Sequence, residues 1–465
     1  MTHFDTVILG AGPGGYVAAI RCAQLGMKTA IIENKWWGGV CLNVGCIPTK
    51  SLLRNAEIAH LLTHDKQAYG IQGDVRCDYG AAFSRSRAVS DRMVKGIHFL
   101  MKKNKITEYN GWGAFKNHRT ISVTFDTGVI ESLTFDNCVI ATGATPKMLP
   151  GVVPGPRVMT FEQLIMSPNL PRSVVICGGG AIGAEFAYIM ASYGVQVTII
   201  EACDRILPLE DPEVSAEITK AYKNFGINIL TSHTIHGISQ DLTSAKVHVT
   251  RANGGEPYQV DADQVMVSIG FQPRIHGYGL ETTGVALSPQ GAIAIDTTMK
   301  TSIPGIYAIG DVTGKMMLAH TAEAQGKIAA ETMAGMPTIP IDYKMIPRAI
   351  YCEPQVASFG YTETEAREKG YKVRVSKFPF AANGKAWALG KSTGFVKIIA
   401  DSTHNEILGA HLVGPNVTEL LPELTLAKMW DLTTDEIARN IHAHPTLSET
   451  LKEVAEGVSG RMTNF

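Results

Sequence analysis

The chain has 465 residues, 45% of them apolar and 18% charged, with a formal net charge of −1. That length asks for two to four domains, and the composition is that of a globular protein. The balanced charge offers no basic surface for nucleic acid or anionic membrane, and no apolar run reaches the roughly 18 residues that a membrane span needs.

A strand-like run, Thr6-Val7-Ile8-Leu9, begins almost at once and leaves no room for a signal or transit peptide before it, so the expected location is cytoplasmic. It leads into Gly10-Ala11-Gly12-Pro13-Gly14-Gly15, an Ala-rich helical segment, and a second strand, Ala30-Ile31-Ile32-Glu33. In a strand–GxGxxG–helix unit the first glycine permits the tight turn. The second admits a pyrophosphate to the backbone, and the third lets helix pack on strand. The helix N-terminus offers free N–H groups to the phosphate charge, and the acid accepts from ribose hydroxyls.

Directly after this unit, Cys41 and Cys46 stand in Gly38-Gly39-Val40-Cys41-Leu42-Asn43-Val44-Gly45-Cys46-Ile47-Pro48-Thr49-Lys50. A bond between them would close a loop whose chain-entropy contribution is only about 2 kcal/mol. Such a bond is poorly explained as a staple and better explained as a reversible redox couple, since small strained disulfides are labile. The pair sits beside a bound nucleotide, which suggests electrons crossing between a flavin and a disulfide. The other cysteines (22, 77, 138, 177, 203, 352) are scattered, mostly in apolar runs, and form neither a secreted disulfide framework nor a zinc motif.

Farther along, Asn137-Cys138-Val139-Ile140-Ala141-Thr142-Gly143 reads as a buried strand ending in a small-residue turn. The Pro- and Gly-rich stretch from Pro146 to Pro156 then reads as a linker. The opening motif is repeated next: Ser173-Val174-Val175-Ile176, Gly178-Gly179-Gly180-Ala181-Ile182-Gly183, a helical segment, and Thr198-Ile199-Ile200-Glu201. The glutamate follows the first glycine by 23 residues in each copy, Gly10 to Glu33 and Gly178 to Glu201. One GxGxxG is weak evidence; the whole constellation twice at one spacing implies two dinucleotides. Gly270-Phe271-Gln272-Pro273 reads as the way out of the second unit, and Gly305-Ile306-Tyr307-Ala308-Ile309-Gly310-Asp311 as a further strand of the first sheet.

From about Pro347 the pattern changes. Apolar segments at Phe395–Ile399 and Ile407–Leu412 precede helix-like Glu419–Met429, Asp435–Asn440 and Ser448–Gly457, as in an α+β domain. Within His442-Ala443-His444-Pro445-Thr446-Leu447-Ser448-Glu449, a histidine could serve as base for the thiols and a carboxylate could hold its tautomer. The residues alone leave His442 and His444 as alternatives.

Taken together, GAGPGG (10–15), GGVCLNVGCIPTK (38–50), CGGGAIGAEF (177–186), IYAIGD (306–311), MLAH (317–320) and HAHPTLSE (442–449) make the chain resemble the dihydrolipoamide dehydrogenases, over essentially its whole length. These are disulfide-containing flavoprotein reductases that serve as E3 of the 2-oxo-acid dehydrogenase complexes. The resemblance implies an α/β fold of two Rossmann-like domains plus a C-terminal α+β dimerisation domain. The expected divisions are 1–147 (first part of the FAD domain), 148–272 (an inserted NAD domain), 273–343 (the rest of the FAD domain) and 344–465 (dimerisation). It also implies an interchange thiol at Cys41, a charge-transfer thiol at Cys46, and an acid–base His444 oriented by Glu449. FAD would be held by Gly10, Gly12, Gly15, Glu33, Gly113, Thr142, Gly143, Asp311 and Ala319, with Lys50 nearby and paired with Glu185. NAD would be held by Gly178, Gly180, Gly183, Glu201 and Gly270. The implied partners are a second copy in a homodimer and the lipoyl-bearing E2. No metal site is expected.

The sequence departs from the family in two places: Phe271 stands where Arg is common, and Phe186-Ala187 where many relatives have Leu-Gly. Glutathione-type reductases would want basic residues in place of Glu201. A non-catalytic flavoprotein scaffold would need neither the thiol pair nor Lys50, His444 and Glu449.

Overall fold

The computed structural model describes every residue, Met1–Phe465. The first copy of the repeated unit is β1 (Thr2–Leu9), α1 (Pro13–Gln24) and β2 (Thr29–Glu33). Short α2 (Gly39–Asn43) and long α3 (Cys46–His60) carry the two cysteines, and α4 (Tyr79–Lys103) packs along both. There follow β3 (Thr107–Asn110), β4 (Trp112–Asn117), β5 (Thr120–Thr124), β6 (Ile130–Ile140), β7 (Ala144–Pro146), β8 (Val158–Thr160) and α5 (Phe161–Leu164). The second copy is β9 (Ser173–Cys177), α6 (Ala181–Ser192) and β10 (Gln196–Ile200), continued by α7 (Pro212–Asn224) and β11 (Asn228–Leu230).

Next come β12 (His233–Gln240), β13 (Ala245–Arg251), β14 (Tyr258–Ala262), β15 (Gln264–Val267), β16 (Phe271–Pro273), β17 (Ile306–Ala308) and α8 (Ala319–Met333). The last part holds β18 (Arg348–Ile350), β19 (Gln355–Gly360), α9 (Glu363–Glu368), β20 (Val373–Pro379), α10 (Gly384–Ala388), β21 (Phe395–Asp401) and β22 (Ile407–Gly414). It ends in α11 (Val417–Met429), α12 (Thr434–Arg439) and α13 (Glu449–Val458).

β1 lies at the centre of the first sheet, parallel to β2 on one side and β6 on the other. β17 pairs in parallel with the last residues of β6, Ile306 against Cys138 and Ala308 against Ile140. The two distant apolar runs thus meet in one sheet. Between them the chain leaves through β7 and returns through β16, which pair antiparallel, Ala144 against Pro273 and Pro146 against Phe271. The second sheet runs β11-β10-β9-β15-β8, parallel at every pairing, beside the antiparallel β12-β13-β14.

The first sheet continues from β6 into antiparallel β5 and β4, while the parallel strands of both sheets are buried on both faces, which is why they read as unbroken apolar runs. On β1, Val7 and Leu9 enter one core while Ile8 enters the core under the helices. In the second unit, Val174 and Ile176 face one way and Val175 and Cys177 the other.

The last sheet is antiparallel, in the order β18-β19-β22-β21-β20. β22 is buried along its whole length and β21 along almost all of it. Helices α11 and α13 pack on this sheet, and α7 of the second unit packs on β22. The polar residues on these strands are accommodated by pairing: buried Lys397 meets Asp211 at 3.0 Å and Glu213 at 2.6 Å. No helix is long and apolar enough to cross a membrane.

Candidate active site

The two GxGxxG loops fold alike. Gly10 and Gly178 adopt φ of 107° and 108°, in the region that favours glycine. A Cβ on Gly15 would drive into the carbonyl oxygen of Gly10, and one on Gly183 into that of Gly178. The third glycine of each motif is therefore the one that lets helix sit on turn. Glu33 accepts from the N–H groups of Ala11 (3.0 Å), Asn34 (3.0 Å), Lys35 (2.9 Å) and Trp36 (3.1 Å). Glu201 accepts from Gly179 (2.7 Å) and Cys203 (2.8 Å). Each acid is held by the loop it serves and is aimed before any ligand arrives.

A cavity of about 400 Å³ runs from the first loop to the cysteines. It is lined by Gly10, Gly12, Gly15, Glu33, Cys41, Cys46, Lys50, Gly113, Thr142, Gly143, Asp311 and Ala319, so residues spread over more than 300 positions share one wall. Glu185, Ile182 and Phe186 of α6, together with Phe161 and Phe271, close it from the side of the second unit. Gly178, Gly180 and Gly183 of the second loop, Glu201 after β10 and Gly270 between β15 and β16 do not line it.

The residues present fit a dinucleotide in this cavity. The glycine cradle is open to it, the loop N–H groups and the N-terminus of α1 face phosphate, and the guanidinium Nε of Arg274 in the wall is buried without a partner. The burial of Asp311 pushes its carboxyl up to about 6.

Cys41 lies on α2 and Cys46 is the first residue of α3, joined by a turn through Gly45. The two thiols are in hydrogen-bond contact, and they behave oppositely. Cys46 is pulled down to about 7, because the hydrogen bond from Cys41 outweighs burial and the charge of Lys50 adds to it. The start of a helix also favours a thiolate there. Cys41 is pushed far up by that same hydrogen bond, by burial and by the neighbouring charge.

Lys50, one turn farther along α3, reaches both carboxylate oxygens of Glu185 at 2.9 Å. Burial opposes its charge, and Glu185 more than restores it. Glu185 in turn accepts from the backbone N–H of Tyr351 (2.8 Å), whose ring lies 4.7 Å from the Lys50 ammonium. A cation–π contact of this kind fixes where the ammonium sits.

His444 Nδ1 pairs with Glu449 at 2.9 Å, while His442 pairs with Glu423 at 2.9 Å. Burial would raise the Glu449 carboxyl, but the Thr446 N–H and His444 hold it below the usual range. The His444 side chain is 80% exposed and lines no part of the cavity. Ile441, Met429 and Trp430, nearby in sequence, are each largely exposed.

Sequence reasoning missed Tyr351, Tyr16 with Glu323 beside Cys41, and Phe161, whose ring meets that of Phe271 edge to face at 5.7 Å. Arg87 was also missed; from α4 it donates to the carbonyl of Asn43 between the two cysteines at 2.6 Å. None of these stands in a local motif, and only long-range packing brings them in.

Known proteins echo this arrangement. The description of the pyridine nucleotide-disulphide oxidoreductases matches residues 4–326, and that of their dimerisation domain matches residues 346–455. The chain is 54% identical to dihydrolipoyl dehydrogenase of Mycobacterium bovis, across all of both chains. It is 54% identical to that of Corynebacterium glutamicum (all of this chain, 99% of the other) and 42% identical to that of Bacillus subtilis (all of both). Among solved structures, LpdA of Mycobacterium tuberculosis superposes with a TM-score of 0.90 at 25% identity, covering 98% of this chain and all of the other. The HOCl-induced flavoprotein disulfide reductase RclA of Escherichia coli gives 0.87 at 27%, covering 97% and 99%.

Proposed function

Since the chain belongs to the pyridine nucleotide-disulphide oxidoreductases and, within them, to the dihydrolipoyl dehydrogenases, we propose that it oxidises protein-bound dihydrolipoamide through Cys41 and Cys46, with FAD in the long cavity and NAD⁺ on the second loop. The observation that carries this reading is the thiol pair itself. One sulfur is tuned toward thiolate beside a half-buried lysine, inside a cavity that begins at a phosphate-binding loop.

The chain's own residues account for the sulfur chemistry. His444 accepts a proton from one substrate thiol, and Glu449 holds the ring so that Nε2 faces outward to do so. The substrate thiolate attacks Cys41 of the Cys41–Cys46 disulfide, and Cys46 leaves as thiolate, which Lys50 and the start of α3 stabilise. His444 then passes its proton to the departing Cys41 sulfur and takes the proton of the second substrate thiol, which displaces Cys41. The products are the cyclic disulfide of lipoamide and a reduced Cys41/Cys46 pair. A bound flavin supplies the two-electron passage from that dithiol to a nicotinamide.

His444 is exposed on its own protomer and away from the thiols' cavity, and the C-terminal residues match a dimerisation domain. A homodimer in which each copy lends its His444–Glu449 pair to the other's cysteines reconciles these facts. The uncovered Ile441, Met429 and Trp430 are suited to such an interface. On the second loop, Glu201 favours a free ribose 2′-hydroxyl over a 2′-phosphate. Arg205 beside it donates to Asp204 at 3.0 Å and keeps a buried Nε without a protein partner, so the preference rests on Glu201. NAD is therefore the preferred nucleotide, and a lipoyl-bearing acyltransferase is the natural protein partner.

The deciding experiment compares NAD⁺-dependent oxidation of free dihydrolipoamide with NADPH-dependent reduction of glutathione disulfide by the purified holoenzyme. Fast dihydrolipoamide oxidation with negligible glutathione reduction is expected; the reverse would overturn the assignment.

A further inference from the structure

Phe271 and Arg274 sit three residues apart where the chain returns to the first sheet, and they meet different surroundings. Phe271 packs against Phe161 and gives the cavity an apolar edge. Arg274 lines the same cavity, but its guanidinium donates to no protein acceptor, and its Nε is buried and unpartnered. Burying such a donor without a partner is unfavourable, so an arginine held this way calls for an acceptor from outside the protein.

The backbone of Arg274 is tightly placed. Its N–H donates to the carbonyl of Gly143 at 3.0 Å, and its own carbonyl accepts from the Thr142 hydroxyl at 3.0 Å. Thr142 adjoins the phosphate loop: a Cβ on Gly10 would stand 3.4 Å from the Thr142 backbone nitrogen. A short chain of contacts therefore ties the arginine to the loop that should receive phosphate. The wall around it supplies Tyr278 and Trp112.

We propose that Arg274 binds the anionic phosphate bridge of the dinucleotide in the first cavity, as a second cationic grip beside the backbone N–H groups of Gly10–Gly15. The proposal rests on the reading of that cavity as the flavin dinucleotide site. The guanidinium is suited to this work because it stays charged when partly desolvated and presents several donors in a fixed fork. Its main-chain bonds to Thr142 and Gly143 do not depend on the side chain, so replacing the side chain tests the grip rather than the wall.

The test uses full-length protein stripped of flavin, titrated with FAD and, separately, with riboflavin, which lacks phosphate, with flavin fluorescence as readout. R274Q is expected to weaken FAD by about ten- to a hundredfold, the range for losing a charged hydrogen bond, and to leave riboflavin unchanged. R274K, which keeps the charge but loses the fork, is expected to fall between.

Equal FAD affinity in wild type and R274Q would overturn the proposal. So would parallel losses for FAD and riboflavin, which would make Arg274 a packing residue. If R274Q does not fold, R274K decides: FAD affinity equal to wild type sinks the idea. Failure of the wild-type chain to take up FAD at all would instead remove the flavin reading on which the proposal stands.

Discussion

The two GxGxxG units differ little in themselves and greatly in what closes over them. Both loops use the same φ at the first glycine, the same helix-on-turn contact at the third, and the same acid accepting from loop N–H groups. The first opens into a long cavity that gathers α2, α3, β4, β6 and α8, and it brings two thiols and a paired lysine to the far end. The second contributes only side chains of α6 and its neighbours to that cavity and keeps its own loop outside it. A shared motif therefore specifies how phosphate is held. The surrounding chain specifies whether the nucleotide is enclosed or free to exchange.

Four experiments would break or sharpen this contrast. The largest difference should come from matched alanines. Gly15→Ala pushes a methyl into the Gly10 carbonyl and should yield protein without yellow colour or turnover, whereas Gly183→Ala should purify yellow and lose NADH binding. Flavin absorbance and an NADH titration read this directly, and two variants with the same phenotype would erase the distinction between the loops.

His444→Gln should leave flavin in place while lowering dihydrolipoamide turnover by about 10²–10⁴-fold, as for loss of a general acid–base group. A turnover like that of wild type would exclude His444 from the chemistry.

The cysteines of the two units should separate by pH. Cys46, at the start of α3, is pulled down to about 7, whereas burial pushes Cys177, at the end of β9 in the second unit, up to about 12. The thiolate is the reactive form. Alkylation of Cys46, followed by mass spectrometry on reduced protein, should therefore slow about tenfold for each pH unit below its midpoint. Cys177 should stay unmodified at neutral pH. Lys50→Met should move the Cys46 midpoint upward, since the ammonium favours the thiolate.

The smallest effect is expected at Glu201→Gln. Loss of the carboxylate should narrow the preference for NADH over NADPH by about tenfold or less, measured as the ratio of kcat/KM values. An unchanged ratio would place nucleotide selection elsewhere.

Much of this site could be read from residue order because its parts are local. A phosphate loop, its acid and a cysteine pair each occupy a few consecutive residues, and backbone geometry alone accounts for their spacing. Lys50 and Glu185 were paired only through family resemblance, since 135 residues separate them. Tyr351 and Arg87 went unseen because each acts by a single contact across the fold, and a lone tyrosine or arginine carries no periodic signal. The choice between His442 and His444 was open for the same reason: both carry a carboxylate at 2.9 Å, on different elements. The C-terminal strands were legible as apolar segments, but their cover was not: α7 of the second unit packs on β22, and Lys397 is paired inside with Asp211, far away in the chain.

The order of residues by itself determined the two nucleotide loops, the acids that follow them and the thiol pair, because these depend on turns, helix starts and strand periods within a few tens of residues. Tertiary structure alone decided that one loop shares a cavity with the thiols and the other does not, that Tyr351 joins Glu185 at Lys50, and that Arg274 is left with a donor to give. Those outcomes depend on which distant groups share a low-dielectric space, where a single neighbour at hydrogen-bond distance shifts charge and affinity far more than any local pattern can.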